Sequence, residues 1–314
     1  MLTVARLRRS PRQFHNFTGL RVEQFDELLR ALEPHYAAQE QARRSRPDRQ
    51  RAIGAGRPFS LALPERLLMT LMYLRLYVTE SLLGYLFDVD PSSINRERNL
   101  RMVPALCAVL PLPALEEMGL IGPPPAGPRL RTLPQLLERF PDLGEVLIDA
   151  TEQSCPRPKD SQQQRHRYSG KKKRHTLKTQ VLTTRQGLVL HASAHVPGSM
   201  HDLPLLRFTG VLHRLRSGMQ VRVDKGYEGI NSAHPDLRIE KPTRARRNHP
   251  LTEEQRAENR VQARLRMAVE HALARLEQFR ILAGTYRGRN RLYDTCFGLI
   301  CGLNNFRLLG RLAW

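Results

Sequence analysis

Cysteine is scarce in this chain of 314 residues, and its few copies are not arranged for chemistry. No two of the four cysteines form a C-x-x-C pair, and histidine and cysteine do not cluster at the spacing of a zinc site. The sequence therefore excludes a disulfide-stapled framework and a zinc finger. We expect four reduced thiols that serve as small buried side chains of a cytosolic protein: Cys107, Cys155, Cys296 and Cys301.

Long apolar runs are also missing. No stretch of about 18 uncharged apolar residues occurs, so the sequence predicts no membrane-spanning helix and no membrane partner. Residues 1–11 are basic but contain no apolar segment, and we therefore expect no signal peptide.

Acidic residues are few beside basic ones. The chain has 51 Lys and Arg against 30 Asp and Glu, a formal net charge of +21, while 40% hydrophobic residues suffice for a sizeable core. A charge excess of this size concerns the partner more than the fold. A polyanion is the natural partner, and nucleic acid is the first candidate.

The N-terminal region has the spacing of helices. Apolar residues at helical intervals predict a helix over residues 18–35, with Thr18 as its cap. The polar, basic stretch from Ala37 to Pro58 has little apolar periodicity, and we expect an exposed linker there.

A compact helical unit follows. We predict a helix from Leu61 to Tyr77 capped by Ser60, and a short helix from Glu80 to Phe87 capped by Thr79. The short helix is expected to turn Leu82, Leu83, Leu86 and Phe87 inward. After a turn at residues 88–90, a third helix runs from Ser92 to Val109 with Pro91 at its first position. Helix, tight turn and basic helix is the helix-turn-helix arrangement, and its predicted DNA contacts are Arg96, Arg98 and Arg101.

Proline and glycine separate this unit from the second half. They crowd residues 111–129, which predicts a linker and a domain boundary. We therefore expect a DNA-binding helical region over residues 1–110, a linker over 111–141 and a catalytic domain over 142–314.

Strand patterns dominate the second half. Strands are predicted over residues 145–151, 176–184, 188–196, 219–224 and 237–241, with a tight turn at 186–187. A short helix is expected over 202–208 and a long one from residue 251 to about 279. The fold class is α+β or α/β, a mixed sheet flanked by helices and preceded by an all-α domain.

Three acidic residues lie at the ends of predicted strands or on a predicted helix. Asp149 and Asp224 end apolar strand-like runs, and Glu270 lies on the long helix. Taken singly, each aspartate could merely bond turn amides, and Glu270 could pair with Arg266 four residues before it. Together, two strand-end carboxylates and a helix carboxylate predict a site that binds divalent cations through oxygen ligands.

Such a triad suits phosphodiester chemistry. Two Mg²⁺ or Mn²⁺ ions about 3.5–4 Å apart can activate the attacking oxygen and stabilise the leaving one. Histidine or cysteine ligands, which would indicate zinc or iron, do not cluster here.

Basic clusters accompany the acids. A run of four cations is interpreted as a phosphate-gripping loop beside the active site, the alternative being a solvated charge run: Lys171, Lys172, Lys173 and Arg174. Two further clusters could touch DNA, one within residues 244–247 and one within 287–291.

Several ordered stretches of the second half resemble the DDE transposases of insertion sequences, specifically the "insertion sequence five" group related to eukaryotic Harbinger elements. The motifs lie at residues 147–151, 168–176, 223–227 and 266–271, with a further family-like segment at 198–202. Residues 61–110 look like the helix-turn-helix region that precedes this catalytic domain.

The resemblance implies a ribonuclease H-like fold with Asp149, Asp224 and Glu270 as the metal-binding triad. It also implies a bacterial, DNA-associated protein that recognises terminal inverted repeats, acts on target DNA and assembles as a homo-oligomer. Lys225 and Arg266, which belong to the same motifs as these acids, are included among the predicted DNA contacts. One position departs from the family, which usually has a lysine seven residues after the glutamate, where this chain has Glu277.

The sequence thus predicts a transposase in which water first hydrolyses the element end and the freed 3′-hydroxyl then attacks target DNA. Two alternatives stay open: a DNA-binding protein without catalysis, which Glu277 supports, and a metal-dependent nuclease that cuts without joining.

Overall fold

The fold was analysed in a computed structural model, which describes residues 1–45, 60–114, 132–230, 234–245 and 250–312. The predicted linker residues 46–58, the proline-rich stretch 115–131 and the second half of the 244–247 cluster lie outside this description.

Three helices open the chain: α1 (Val4–Arg8), α2 (Pro11–Thr18) and α3 (Val22–Arg44). The prediction of one helix over 18–35 capped by Thr18 was wrong at its start. Thr18 is the last residue of α2, and Gly19 closes that helix in the left-handed conformation with φ 78°. Helix α3 continues through Pro34 to Arg44, so the first part of the predicted linker is helical.

The helix-turn-helix region contains α4 (Leu63–Leu76), α5 (Glu80–Phe87), α6 (Pro91–Glu97) and α7 (Val103–Val109). Helix α4 begins after Ala62, so Ser60 is not its cap, whereas the Thr79 hydroxyl caps α5 as predicted. Helices α6 and α7 form the predicted third helix, joined by one π-helical turn over Arg98–Met102. Pro104 lacks an N–H for the fourth carbonyl before it, and a locally widened helix accommodates that gap.

The second half is built on a seven-stranded sheet. Its strands are β1 (Glu145–Ser154), β2 (Tyr168–Ser169), β3 (Arg174–Thr183), β4 (Val189–Ala192), β5 (Val196–Pro197), β6 (Gln220–Arg222) and β7 (Arg238–Glu240). Three helices interleave with them: α8 (Leu133–Arg139), α9 (Ser161–Arg167) and α10 (Asp202–Thr209). Helix α8 lies inside the range predicted as a linker, which corrects that boundary.

The strand order is β2–β3–β1–β6–β7, with β4 and β5 also pairing along β3. Strand β3 is antiparallel to β1, while β6 runs parallel to β1 and β7 runs parallel to β6. This curled mixed sheet, flanked by helices and preceded by an all-helical region, is the ribonuclease H-like arrangement that the resemblance implied.

The chain ends in helices α11 (Glu253–Glu277), α12 (Arg280–Ala283) and α13 (Tyr293–Leu309). Thr252 caps α11 in a reciprocal capping box with Gln255, close to the predicted start. Helix α11 covers the β1 face that carries Leu147, and α13 packs on β4 and α7. On the other face, Val146 and Ile148 belong to a second core with α8 and α10.

The larger core spans both halves. It joins Phe14 and Leu71 of the N-terminal helices to Val181 of β3 and Phe297 of α13, each at most 1% exposed. The four cysteines, all within the described ranges, form no disulfide; Cys155 and Cys301 are buried and the other two are half-buried. Within the described ranges, no helix is long and apolar enough to cross a membrane.

Candidate functional site

Asp149 lies within β1, and Asp224 lies two residues after the end of the neighbouring parallel strand β6. Leu147 of β1 is level with Arg222 of β6, so each aspartate stands two residues further along. Alternation along a strand puts both carboxylates on the face that α11 covers. One oxygen of each carboxylate accepts a backbone N–H, from Ala150 at 2.8 Å and from Lys225 at 2.6 Å.

Arg266 of α11 joins the two aspartates. Its guanidinium lies 2.9 Å from the Asp224 carboxylate and 3.6 Å from that of Asp149. Arg266 was predicted to contact DNA and, alternatively, to pair with Glu270. The structure places it inside the site instead, with only 14% of its side chain exposed. Its Nε is buried and finds no acceptor among the described residues. The two acids therefore share one counter-ion.

Burial is the main influence on the pKa of the Asp149 carboxyl group. Burial raises the pKa of Asp149, and the neighbouring Asp224 and Asp202 carboxylates raise it further, against the lowering effect of the Ala150 N–H and Arg266. Additional positive charge at this point would stabilise the ionised form. The site is therefore electrostatically suited to a cation.

Glu270 stands one helical turn after Arg266 and is exposed. Four residues of helix rise amount to about 6 Å. The next residues on that face, Leu273 and Glu277, border a small cavity with Thr151 of β1. Glu270 thus lies above β1, between the helix turn that carries Arg266 and the turn that carries Leu273 and Glu277. Its carboxylate is not grouped with those of Asp149 and Asp224. In the part of the chain that the structure describes, no three His, Cys, Asp or Glu side chains are grouped to hold a metal ion.

A buried lysine pairs with Asp202 beside the site, and sequence reasoning missed it. Lys178 of β3 lies 3.0 Å from the Asp202 carboxylate and 3.4 Å from that of Glu152. Its signal was a lysine in an otherwise buried strand, level with Glu152 on β1. Asp202 is the first residue of α10. The cap position belongs to His201, and the Asp202 carboxylate supports the site through Lys178.

The donor set fits a hard divalent cation in part. Asp149 and Asp224 present carboxylate oxygens, which Mg²⁺ and Mn²⁺ prefer. Arg266, whose own Nε–H finds no acceptor among the described residues, occupies the space between the two carboxylates that a cation would take. Two carboxylates converge, and a side-chain movement of Glu270 is needed to supply the third.

Two of the three arginines predicted to bind DNA from the helix-turn-helix are engaged inside the protein. Arg98 is 6% exposed, stacks 3.6 Å above the Tyr73 ring and pairs with Glu80. Arg101 pairs with Glu97 at 2.7 Å and with Glu40 at 3.2 Å. These two residues hold the helices together, which corrects their assignment as surface contacts.

Arg96 remains available to meet DNA. It is exposed on α6, and among the described residues its guanidinium bonds only within its own helix, to Ser92.

The basic run of residues 171–174 is exposed, but it lies farther from the aspartates than the predicted position beside the active site. It occupies the turn between β2 and β3, with Lys173 at φ 54°. Arg174 reaches Ser154 at the end of β1, five residues or about 17 Å beyond Asp149. Lys225, by contrast, is exposed directly after Asp224. The basic run therefore lies near the far end of β1, away from the two aspartates: Lys171, Lys172, Lys173 and Arg174.

Comparison with known families matches both halves. Residues 148–305 match the model of the DDE superfamily endonucleases, and residues 59–111 match the helix-turn-helix of DDE superfamily endonucleases. The first match contains both aspartates and Glu270. The second coincides with the region predicted over 61–110. The narrower assignment to the "insertion sequence five" group stays a prediction.

A curated relative supports the same superfamily. The probable transposase for insertion sequence element IS702 of Microchaete diplosiphon is 37% identical over 163 residues, which are 52% of this chain and 57% of the relative. The match thus spans little more than half of the relative's length. A pre-cleavage Mos1 transpososome covers 88% of this chain and 86% of its own, at 11% identity and a TM-score of 0.18, too low to bear on the fold.

Proposed function

The chain belongs to the DDE superfamily of endonucleases, and from this membership we propose that it is a DNA transposase. In this proposal the helix-turn-helix binds the ends of a DNA element, and the aspartate site cuts the DNA and joins it to a target. Terminal inverted repeats and target DNA are the proposed substrates, and a homo-oligomer assembled on DNA is the proposed active form.

One observation carries the proposal: Asp149 and Asp224 come from distant parts of the sequence and share Arg266 at 3.6 and 2.9 Å. Asp149 lies in the middle of β1, which continues to Ser154, and was wrongly predicted to end a strand; Asp224 follows the end of the parallel strand β6, so the two carboxylates meet where β6 stops and β1 continues. The family match places this pair in an endonuclease superfamily, and the net charge of +21 suits its polyanionic substrate.

Superfamily members generally use divalent metals. We propose Asp149, Asp224 and Glu270 as the metal-binding and catalytic triad, with Mg²⁺ or Mn²⁺, in two ions, as the cofactor. The metal would supply a lowered pKa for attacking water and charge stabilisation for the phosphodiester.

The chain's own residues prepare this chemistry. The N–H groups of Ala150 and Lys225 each hold one oxygen of an aspartate; the other oxygen of Asp149 faces Arg266, whereas in Asp224 the oxygen held by Lys225 also accepts from Arg266. Lys178 neutralises Asp202 and Glu152, which limits repulsion around Asp149. Glu270 is exposed on the same helix as Arg266, and in this proposal its side chain would turn inward to complete the triad.

The test is cleavage and strand transfer by the full chain on duplexes made from the DNA flanking its own coding sequence, with Mg²⁺ or Mn²⁺. Asp224→Asn keeps the shape of the side chain and removes a ligand charge, so we expect a loss of cleavage of at least about 100-fold. Asp142→Asn, at an exposed turn, is the matched control and should cut like the original protein.

The outcomes separate three functions. Joined products support the transposase, cut products alone indicate a nuclease, and binding without cutting indicates a co-opted DNA-binding protein. Full cleavage by the Asp224→Asn protein would refute the triad.

A further inference from the structure

A basic groove separates α6, the basic helix of the helix-turn-helix, from a loop of the catalytic half. It encloses about 720 Å³. On one side lie residues of α6 and the π-helical turn: Asn95, Arg96, Asn99 and Leu100. On the other side lies the segment that we name the arginine loop, residues 286–292, which contains Arg287, Arg289 and Arg291.

The groove is strongly positive. Arg96, Arg289 and Arg291 are exposed. Neither Arg289 nor Arg291 forms an ion pair with any residue in the described ranges. Glu80, an acid on the groove wall, is already paired with Arg98 at 2.9 Å. Unpaired guanidinium groups facing each other repel unless an anion lies between them.

The arginine loop is held in place by three elements. The Tyr286 N–H donates to the Ser154 carbonyl at the end of β1 at 2.8 Å. The Arg287 N–H donates to the Tyr77 hydroxyl at 2.6 Å, and its guanidinium lies 4.3 Å above the Tyr77 ring. With its amide oxygen turned toward α9, Asn290 accepts from Arg167 at 2.6 and 2.9 Å. The loop therefore ties the catalytic strand to the helix-turn-helix.

Through this connection the groove leads along β1 toward Asp149. The loop meets β1 at Ser154, five residues or about 17 Å from Asp149. At about 3.4 Å per base pair, a duplex covers that distance in roughly five base pairs. The exposed Arg174 contacts Ser154 along the same route.

We propose that α6 and the arginine loop form one composite DNA groove. Helix α6 meets the base edges, while Arg289 and Arg291 grip the phosphates of the same duplex and aim it along β1. Phosphate contacts set the register of a duplex, and base contacts read its sequence. The proposal deepens the transposase assignment and rests on it, since only that function gives the DNA path its end at Asp149.

The first experiment measures binding by the full chain to a mixed-sequence duplex of about 30 base pairs, by fluorescence anisotropy over a range of NaCl. The double variant Arg289→Ala/Arg291→Ala removes two phosphate contacts. We expect affinity to fall about tenfold or more, and the slope of log affinity against log salt to decrease by about 2. Arg287 is left intact because it holds Tyr77.

The matched control loses the same charge elsewhere. Arg139→Ala/Arg207→Ala removes two exposed arginines from α8 and α10, outside the groove. It should keep the original salt slope, and equal thermal midpoints of the two double variants establish that both are folded. Equal slopes for the two variants would overturn the composite groove.

Hydroxyl-radical footprinting on a duplex made from the DNA flanking the chain's own coding sequence supplies the second readout, because a defined footprint requires binding in one register. The original protein should protect two adjoining segments, and the Arg289→Ala/Arg291→Ala protein should lose one while keeping the α6 segment. Unchanged protection would overturn the proposal. Cleavage by the original protein is assayed in parallel: binding as expected without cutting refutes the transposase and leaves the groove intact, whereas cutting with unchanged variant binding refutes the groove alone.

Discussion

At the scale of single residues, the site is organised by a shortage of positive charge. Asp149, Asp224 and Asp202 lie near one another; among the described residues, Arg266 contacts the first two and Lys178 pairs with Asp202. Burial and like charges raise the pKa of Asp149 although Arg266 is close. A site that is poorly neutralised by its own side chains gains from binding a cation, and it reduces the stability of the cation-free fold.

The stability cost can be measured by Asp149→Asn. A raised folded-state pKa means that the contribution of Asp149 to stability is present below its unfolded pKa and lost as the pH rises through its folded pKa. Without divalent ions, the variant should therefore melt higher than the original protein at pH 7, and the difference should shrink on acidification. Thermal midpoints of both proteins across pH measure this.

The same variant reports on the cation. Mg²⁺ should raise the midpoint of the original protein, because a ligand of the folded state stabilises it, and it should raise that of the Asp149→Asn protein much less. Asp142→Asn, at an exposed turn, should follow the original protein throughout. A lower midpoint for Asp149→Asn at pH 7 would show that the charge of Asp149 is well compensated in the fold.

At the scale of elements, the helix-turn-helix shows how packing selects among similar residues. All four apolar residues of α5 were expected to face inward, yet Leu83 and Phe87 are fully buried while Leu82 is 45% exposed. An eight-residue helix placed against α4 and α6 buries one face, and adjacent residues point about 100° apart. Leu82 therefore belongs to the surface.

This difference predicts opposite outcomes for two neighbouring substitutions. Leu83→Ala leaves a cavity in the core and should lower the free energy of unfolding by about 2–5 kcal/mol. Leu82→Ala removes an exposed side chain and should change it by less than about 0.5 kcal/mol. Urea midpoints of the two variants provide the comparison, and equal losses would contradict the orientation of α5.

At the scale of the whole molecule, the DNA-binding helices and the sheet share one core. The cluster that contains Leu71 of α4 also contains Val181 of β3, with α13 packed against both regions. The predicted boundary in the proline-rich stretch separates the halves along the chain but not in their packing. Ala114, just before that stretch, donates its N–H to the Leu190 carbonyl of β4 at 2.7 Å.

A shared core predicts a single cooperative unfolding transition. Hydrogen exchange across a urea series should show the amides of α4 and β3 opening at the same denaturant concentration, because neither region retains its core without the other. Earlier opening of α4 would mean that the helix-turn-helix unfolds independently of the sheet.

Local patterns were sufficient for much of this fold. Apolar and β-branched runs of strand length located β1, β3 and β6, the helical pattern from residue 251 located α11, and Thr79 located α5. These features depend on neighbours within a few residues, so the sequence determines them directly. The short α8, which lies in a proline-containing stretch, has too few periodic positions to be recognised.

The sequence by itself also determined the basic character, the family motifs and the identity of the two aspartates that share Arg266. Only the tertiary structure decided the roles of the cations. Arg266 and Arg98 are buried counter-ions and Lys178 supports Asp202, whereas Arg289 and Arg291 face α6 across a groove. The physical reason is that a cation's role depends on which acids the fold brings near it, and those acids lie up to 117 residues away in sequence, as from Asp149 to Arg266.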